Sequence, residues 1–307
     1  MEHSSTPFVS VIVPVYNDTE RLKHCLNALD RQTYPQSCYE VIVVDNGSDP
    51  AQNVDSVVAP FDRAFCIYES TPGSYAARNR GISIAKGEII AFTDADCVPA
   101  LDWLEQGVAN LQKVPNCGLV AGKIEIFFKN PEKITPVELY ESITAFPQKE
   151  LLEKYQYGAG ANLLTWKQVI EKVGVFDATL KSSGDVEWCR RVFDCGYQQI
   201  YVEEVCVQHP ARTSWRELYK RTIRLVGGIY DLQQKKNARN FPKDLAVISL
   251  LLKNLVPPLN FVINTFLDER LTSLKHKCQV SLVMFFVRYI SAWEVLRLRF
   301  GGLSARE

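Results

Sequence analysis

The stretch Glu88–Asp96 reads Glu-Ile-Ile-Ala-Phe-Thr-Asp-Ala-Asp, an apolar run that ends in two carboxylates. Such a run is typical of a buried strand, and residues two apart in an extended chain point to the same side, so Asp94 and Asp96 can face one ligand. Open α/β sheets bind ligands at the carboxyl ends of their strands. The pair therefore predicts a metal site, although Asp after a strand also occurs in turns, where it caps a helix or bonds its own backbone.

Strands and helices alternate ahead of this acid pair. Phe8–Val15, Tyr39–Asp45 and Ala64–Tyr68 are short runs with the composition of strands. Thr19–Gln32 carries leucines at helical spacing, and Ala76–Ala85 is helix-like. The alternation predicts parallel, doubly wound strands with helices on both faces of the sheet.

Four segments resemble, in this order, the inverting glycosyltransferases of family 2, which have the nucleotide-sugar-binding GT-A fold. The segments are Val13-Pro14-Val15-Tyr16-Asn17, Val43-Val44-Asp45-Asn46-Gly47-Ser48, Ala76-Ala77-Arg78-Asn79-Arg80-Gly81 and Phe92-Thr93-Asp94-Ala95-Asp96. The resemblance covers roughly the first 210 residues. It implies an α/β fold of the GT-A type, with a Rossmann-like, doubly wound mixed sheet.

The resemblance also implies roles for the side chains in these segments. It assigns Pro14, Tyr16 and Asn17 to the nucleotide pocket. It assigns Asp45 to the nucleobase, Arg78 to the nucleobase or a phosphate, and Asp94 to the ribose. It assigns Asp96 to a divalent metal. Mn²⁺ or Mg²⁺ fits this role, because both prefer oxygen ligands and a divalent ion stabilises the charge on a departing diphosphate.

A further group of acids lies between Phe176 and Arg191. In the family, this stretch usually reads Glu-Asp at the start of a helix, and the Asp is the general base that deprotonates the acceptor hydroxyl. Asp185 matches that Asp, Gly184 stands in the place of the Glu, and Glu187 is the second candidate for the base. The alternative is that Asp185 only stabilises the first helical turn as a capping or dipole-facing residue.

His209 follows another strand-like run and, by the same resemblance, is a further metal or diphosphate ligand. Imidazole is a suitable ligand for Mn²⁺, although a single His at a strand end is also typical of a structural residue. Arg212 is a candidate for the diphosphate. Gly158–Asn162 corresponds to a flexible loop near the acceptor, or is an ordinary Gly-rich turn.

Composition limits the classes of protein to consider. The chain has 307 residues, of which 47% are hydrophobic, enough for one large domain and an appendage. Its 35 basic and 35 acidic residues give a net charge of +0, so we expect no nucleic-acid partner. Nine scattered Cys without a Cys-x-x-Cys spacing, and a polar start without a signal-peptide core, predict a cytosolic catalytic domain with reduced thiols.

The composition changes after Arg212, which predicts a catalytic domain over 1–212 and a helical region over 213–307. From Trp215 onward the spacing predicts a basic amphipathic helix, which either lies on an anionic membrane or packs on the catalytic domain. Two apolar segments follow, at 245–267 and 280–298, and the first is long enough to span.

Polar residues and prolines interrupt both apolar segments, among them Lys253, Pro257-Pro258, Arg288 and Glu294, and basic residues flank them on every side. This pattern disfavours a translocated loop. We therefore expect shallow or re-entrant insertion from the cytoplasmic face of a membrane, with a soluble homodimer interface as the alternative.

Taken with the resemblance, these features predict a metal-dependent inverting glycosyltransferase at a membrane surface. It would move a sugar from a nucleotide donor, most simply a UDP-sugar, to a hydroxyl of a lipid-linked or polysaccharide acceptor. Two alternatives remain. A sugar nucleotidyltransferase should have a Gly-rich loop with a basic residue after the first strand, where this chain has Pro14–Asn17. A catalytically silent glycan-binding or scaffold protein is favoured by Gly184.

Overall fold

The computed structural model describes residues 6–237 and 243–306, and it describes the side chains of all of these except 236–237 and 243–248. The chain forms two compact units. Unit 1 comprises 1–125, 146–178 and 184–209, and unit 2 comprises 126–145, 179–183 and 210–307. The predicted boundary at 212 thus lies close to the start of the last segment of unit 2. Unit 2 also takes 126–145 and 179–183 from within the region that the sequence assigns to the catalytic domain.

The described strands and helices are as follows. The strands are β1 (Val9–Val15), β2 (Tyr39–Asp45), β3 (Ala64–Tyr68), β4 (Ile89–Thr93), β5 (Val98–Pro99), β6 (Cys117–Phe127), β7 (Asn162–Trp166) and β8 (Gln198–Pro210). The helices are α1 (Thr19–Asp30), α2 (Val54–Val58), α3 (Ser74–Ile84), α4 (Trp103–Lys113), α5 (Pro136–Thr144), α6 (Gln148–Tyr155), α7 (Lys167–Val173), α8 (Gly184–Asp194), α9 (Trp215–Asn237), α10 (Lys243–Leu255), α11 (Leu259–Leu267) and α12 (Leu274–Arg299).

The strands form a mixed sheet in the order β3-β2-β1-β4-β7-β6-β8-β5. Strands β3, β2, β1 and β4 are parallel, which confirms the doubly wound half predicted from the alternating runs. Strand β7 runs antiparallel to both β4 and β6, and β5 runs antiparallel to β8. The second half of the sheet therefore reverses direction next to β4, beside the acid pair.

The core of unit 1 lies between the sheet and its helices. Every residue of β4 is buried, and the face of α1 that carries Leu22, Leu26 and Leu29 is buried at helical spacing. Close packing also explains some glycines. A Cβ on Gly81 of α3 would lie 2.6 Å from a methyl carbon of Ile12 on β1, so this glycine lets the helix approach the sheet.

Unit 2 is helical, and α12 is its centre. One face of α12 packs on α5, α9, α10 and α11. Its buried residues include Val280 and Val283, which join a cluster with Leu139 and Leu218. The opposite face exposes apolar side chains at a spacing of three to four residues: Leu282, Phe285, Tyr289 and Trp293. This helix thus has an apolar surface on both its inner and its outer side.

Only α12, among the described residues, is by itself long and apolar enough to cross a membrane. The first apolar segment predicted from the sequence is divided, because Ser249–Leu255 and Leu259–Leu267 are bent by 47° relative to each other. Pro257-Pro258 lies at the bend, where proline removes backbone N–H donors and disfavours a helical residue before it. Core helices of soluble proteins can meet the same criterion of length and composition, and 44% of the apolar window of α12 is buried.

Candidate functional site

The predicted nucleotide residues gather at the carboxyl edge of the parallel strands. Strands β1 and β2 pair in register from Val9 with Tyr39 to Val15 with Asp45, so both strands end at the same level. Tyr16 and Asn17 follow β1 directly, and Pro14 lies within it. Tyr16 is half exposed. These side chains therefore lie around one edge of the sheet, where the sequence places the donor.

Hydrogen bonds join the loops after β1 and β2. Asn17 has a left-handed backbone, with φ 51°, which Asn tolerates better than most residues. Its backbone N–H donates to Ser48 Oγ at 2.9 Å, and its side-chain oxygen accepts from the Asp49 N–H at 2.7 Å. Asp45 Oδ1 accepts from the Ser48 N–H at 2.9 Å. Asn17 and Asp45 thus shape this edge as well as lining it.

Asn46 is a residue of this edge to which the sequence analysis gave no role. Its side-chain amide donates to the carbonyls of Glu69 and Thr71, and its oxygen accepts from the Gly73 N–H. It therefore holds the loop that leads into α3. The sequence offered one indication of this role, which is the position of Asn46 inside the Val43–Ser48 motif.

Arg78 lies on α3 and is 4% exposed. Its guanidinium donates to Asp94 Oδ1 and, at 3.4 Å, to the Gly160 carbonyl. Among the described residues, its buried Nε has no hydrogen-bond partner. A buried donor without an acceptor is costly, so this nitrogen is suited to a polar or anionic ligand.

The two candidate metal ligands lie together. Asp96 Oδ2 is 3.5 Å from His209 Nε2, because the pairing of β5 with β8 brings the end of β8 beside the acid pair. Arg21 Nη1 lies 3.6 Å from the same oxygen. The His209 ring is buried and has the Phe146 ring 4.8 Å away.

Asp96 and His209 are enough protein ligands for a divalent ion that is also coordinated by phosphate oxygens and water. Within the described ranges, no group of three or more His, Cys, Asp or Glu side chains is arranged to hold a metal. One carboxylate and one imidazole suit Mn²⁺, and the carboxylate alone suits Mg²⁺, which prefers oxygen ligands; in either case phosphate oxygens and water would complete the set. Burial, and then the charges of Asp96 and Asp94, raise the pKa of the neighbouring Cys25 and Cys97 thiols far above the ordinary range.

Asp185, at the start of α8, has hydrogen bonds to both carboxylate oxygens. Oδ1 accepts from the Tyr75 hydroxyl at 3.3 Å and from the Val186 N–H at 3.0 Å. Oδ2 accepts from the Gly160 N–H at 3.1 Å. The Val186 contact agrees with a role at the helix terminus, whereas the contacts of Tyr75 and Gly160 connect Asp185 with α3 and with the loop before β7.

Glu187 is engaged elsewhere. It forms a two-point ion pair with Arg191, at 2.7 and 3.0 Å, and Arg191 in turn donates to the carbonyls of Val173 and Val175. These contacts fasten α8 to the end of α7 and to the segment that follows it. The second candidate for the base therefore has a structural use that Asp185 does not share.

The Gly158–Asn162 loop is well anchored. Gln148 accepts from the Ala159 N–H at 2.7 Å, and the buried Asn162 side chain bonds Trp103, Lys123 and Val205. Gly160 lies between these anchors, and a Cβ there would lie 3.2 Å from the Arg78 guanidinium carbon. The loop thus presents its backbone to both Arg78 and Asp185.

Arg212 belongs to unit 2, where its backbone N–H and its guanidinium both donate to the fully buried Glu141, at 2.9 to 3.2 Å. The structure thus gives Arg212 a local partner within its own unit. Two open cavities, of about 420 and 600 Å³, lie around Lys129–Glu138 in unit 2 and around Leu111–Cys117 in unit 1. Neither is lined by a predicted site residue.

A mixed α/β sheet with an acid pair at its carboxyl edge agrees with the GT-A fold of nucleotide-sugar glycosyltransferases. Residues 10–174 match the family described as Glycosyl transferase family 2. Glycosyltransferase AglE of Haloferax volcanii is 42% identical over 230 residues, which are 73% of this chain and 74% of that protein. The chain belongs to glycosyl transferase family 2, and it is a glycosyltransferase.

Other similar proteins agree. The pre-mycofactocin glycosyltransferase of Mycobacterium tuberculosis is 29% identical over 69% of this chain and 45% of its own length. The mannosyltransferase PcManGT from Pyrobaculum calidifontis, solved with GDP-Man and Mn²⁺, has a TM-score of 0.64 at 20% identity, over 96% of this chain and 87% of that chain. GalNAc-T7, solved with UDP, GalNAc and Mn²⁺, has a TM-score of 0.56 at 18% identity, over 69% and 45%. At these identities the two structures establish the fold.

The ion pair of Glu187 generates a prediction. Glu187→Gln should leave kcat within about twofold of the wild type and lower stability by about 0.5 kcal/mol, as expected for a partly exposed helical pair. Steady-state kinetics and thermal unfolding measure the two effects. An inactive Glu187→Gln with wild-type stability would make Glu187 the base.

Proposed function

We propose that this glycosyltransferase moves one sugar from a UDP-sugar to a hydroxyl of a lipid-linked or polysaccharide acceptor, with inversion at the anomeric carbon and with Mn²⁺ or Mg²⁺. One observation carries the proposal. Arg78 bonds both Asp94 and the Gly160 carbonyl, and the Gly160 N–H bonds Asp185. The edge that would bind the donor and the candidate base are therefore fastened to one rigid frame. Direct transfer of the sugar from donor to acceptor requires such a fixed geometry.

Inversion requires a single displacement, in which the acceptor oxygen attacks the anomeric carbon as the nucleoside diphosphate leaves. The base takes the hydroxyl proton during that attack. Asp185 suits this task because its carboxylate is partly exposed while neighbouring donors hold it in place. Glu187 is less suited, because Arg191 occupies both of its carboxylate oxygens in an ion pair.

On the donor side, the nucleotide would be lined by Pro14, Tyr16, Asn17 and Asp45. The unpaired Nε of Arg78 would donate to the nucleobase or to a phosphate. Asp94 would bind the ribose, and Asp96 with His209 would hold the metal. The bound ion supplies positive charge that stabilises the leaving diphosphate. The ligands of the two solved neighbours, GDP-Man and UDP with Mn²⁺, support a nucleotide and a divalent ion at this edge.

Unit 2 would place the enzyme on the cytoplasmic face of a membrane without crossing it. The outer face of α12 and exposed residues of α11, including Leu259, Ile263 and Leu267, offer an apolar surface to lipid. The inner face of α12 packs within unit 2 and carries Glu294, which is buried and paired with Arg297. Because charged residues are costly inside a bilayer and one side of α12 is already packed, these features support shallow insertion of the helix rather than a membrane span.

The metal is tested at Asp96. Asp96→Asn keeps the size of the side chain but removes its charge, so turnover should fall on the order of 10²-fold or more, because ion stabilisation supplies several kcal/mol. Titration calorimetry should show that Mn²⁺ no longer tightens UDP binding. Asp194→Asn, at an exposed position of α8, is the matched control and should behave as the wild type. Full activity of Asp96→Asn, or undiminished turnover in EDTA, contradicts the proposal.

The base is tested at Asp185. Asp185→Asn can keep several of the hydrogen bonds of the carboxylate but cannot take a proton, so kcat should fall by about 10² to 10⁴. Donor affinity and melting temperature should stay close to the wild type, because the substitution is nearly isosteric. A role at the helix terminus alone would leave turnover normal, because Asn stabilises the start of a helix about as well as Asp does. Metal-dependent hydrolysis of UDP-sugar by the wild type would exclude a catalytically silent protein.

The membrane is tested by a triple variant, Leu282→Gln, Phe285→Gln and Trp293→Gln, on the outer face of α12. Binding to vesicles of anionic and neutral phosphatidyl lipids should fall at least about tenfold, because each large apolar side chain contributes about 1.5–3 kcal/mol when buried. High salt should release little of the wild type, since salt does not weaken apolar burial.

The matched control is Leu101→Gln, Val175→Gln and Phe193→Gln, at exposed apolar positions of unit 1. It should bind vesicles as the wild type does. The membrane proposal is contradicted if the wild-type chain remains a monomer without detergent and does not bind vesicles. A dimer in the wild type that the outer-face variant dissociates would instead favour the homodimer interface.

A further inference from the structure

We propose that Tyr75 is a positioning residue for the base, and that Gly184 is a glycine because the tyrosine ring occupies the space of a side chain there. The inference rests on the proposed role of Asp185. It adds a residue of α3, more than 100 positions away in the chain, to the machinery of proton transfer.

The Tyr75 hydroxyl and the Gly160 N–H hold Asp185 at different oxygens. Tyr75 donates to Oδ1 at 3.3 Å, and Gly160 donates to Oδ2 at 3.1 Å. A carboxylate held at both oxygens has little freedom to rotate. Because Oδ1 also accepts from the Val186 N–H, the lone pair that remains lies on Oδ2, and it then keeps a constant direction toward the acceptor hydroxyl.

Aromatic packing fixes the direction of the Tyr75 hydroxyl. The ring is 7% exposed, and it stacks on Phe176 with centroids 5.8 Å apart and planes 26° apart. Phe176 in turn packs on Phe92 and on the fully buried Trp188, at 5.3 and 5.1 Å. Aromatic pairs at these distances are favourable contacts. The hydroxyl therefore projects from a ring that the core holds in place.

Gly184 completes the arrangement. A Cβ at position 184 would lie 2.7 to 2.8 Å from three carbons of the Tyr75 ring, closer than real contacts allow. The Glu that the family usually has at this position would need that space. Gly184 thus accommodates the tyrosine beside Asp185, so this departure from the family pattern is no sign of lost catalysis.

The hydroxyl acts as a donor and keeps its proton. Burial, followed by the charge of Asp185, raises the pKa of Tyr75 well above its ordinary value. At working pH the phenol is therefore neutral, and Asp185 remains the group that accepts the proton of the acceptor. A hydrogen bond to an ionised carboxylate is stronger than one between neutral groups.

The experiment is Tyr75→Phe, which keeps the ring and removes the hydroxyl. We expect kcat to fall roughly 5- to 50-fold, with KM for donor and acceptor unchanged within about twofold, because only the orientation of the base is lost. In the double variant with Asp185→Asn, the loss should not exceed that of Asp185→Asn alone, because a positioning residue acts only through the base. A merely structural tyrosine would give additive losses.

Tyr34→Phe is the matched control. Tyr34 is also buried and donates its hydroxyl hydrogen bond to the Pro7 carbonyl, far from Asp185 in the chain. Its variant should lower the melting temperature at least as much as Tyr75→Phe while leaving kcat unchanged.

A reciprocal exchange tests the role of Gly184 and covers the case in which Tyr75→Phe does not fold. Gly184→Glu should lower the melting temperature and the yield of soluble protein in the wild-type background, and it should lower them much less in the Tyr75→Ala background, where the ring no longer fills the space. Failure of Tyr75→Ala to relieve Gly184→Glu overturns the steric part of the inference.

The outcomes separate the inference from the proposed function. Wild-type kcat in Tyr75→Phe, with Asp185→Asn inactive, overturns the positioning role and leaves Asp185 as the base. Wild-type kcat in Asp185→Asn overturns the proposed function itself. A fall in kcat for Tyr75→Phe that disappears in the Asp185→Asn background supports both.

Discussion

The contacts of Arg78 are the interaction on which the site depends. Its guanidinium is buried in α3, bonds Asp94 at the end of β4 and reaches the carbonyl of Gly160 in the loop before β7. Because β7 is the strand at which the sheet changes direction, this one side chain joins the parallel half of the sheet to the antiparallel half. A buried charge is stable only when it is paired, so Asp94 and Arg78 must stay together. Any change in this pair would move the donor edge and the candidate base relative to each other.

The same frame explains why the residues near Asp185 are small or aromatic. Gly160 presents both backbone polar groups, one to Arg78 and one to Asp185, and a side chain there would press on the guanidinium. Gly184 leaves room for the ring of Tyr75. Backbone donors and a rigid ring lose little conformational entropy when they orient a carboxylate. Longer polar side chains would lose more conformational entropy in the same role. Precision at this site thus comes from close approach of backbone and ring.

Unit 2 follows a different physical rule. In unit 1, large apolar side chains are mostly buried between sheet and helices, whereas α12 is apolar on its packed face and on its outer face. A surface stripe of Leu, Phe, Tyr and Trp loses favourable free energy in water and regains it against lipid or another apolar surface. Glu294 and Arg297 mark the inner face, where their pairing offsets the cost of burying the carboxylate.

The sequence by itself determined the alternating strands and helices and the acid pair at the end of β4, because these depend on local periodicity and on short motifs, whereas the candidate base came from the resemblance to the family. The predicted ends of β2 and β3 agree with the structure, and α3 begins two residues before its predicted start. Only the tertiary structure decided that His209 lies beside Asp96 and that Tyr75 reaches Asp185. It also gave 126–145 to unit 2 and divided the first apolar segment. The physical reason is that side-chain contacts across more than 100 residues depend on strand pairing and on space, such as the space left by Gly184, and neither leaves a local pattern in the chain.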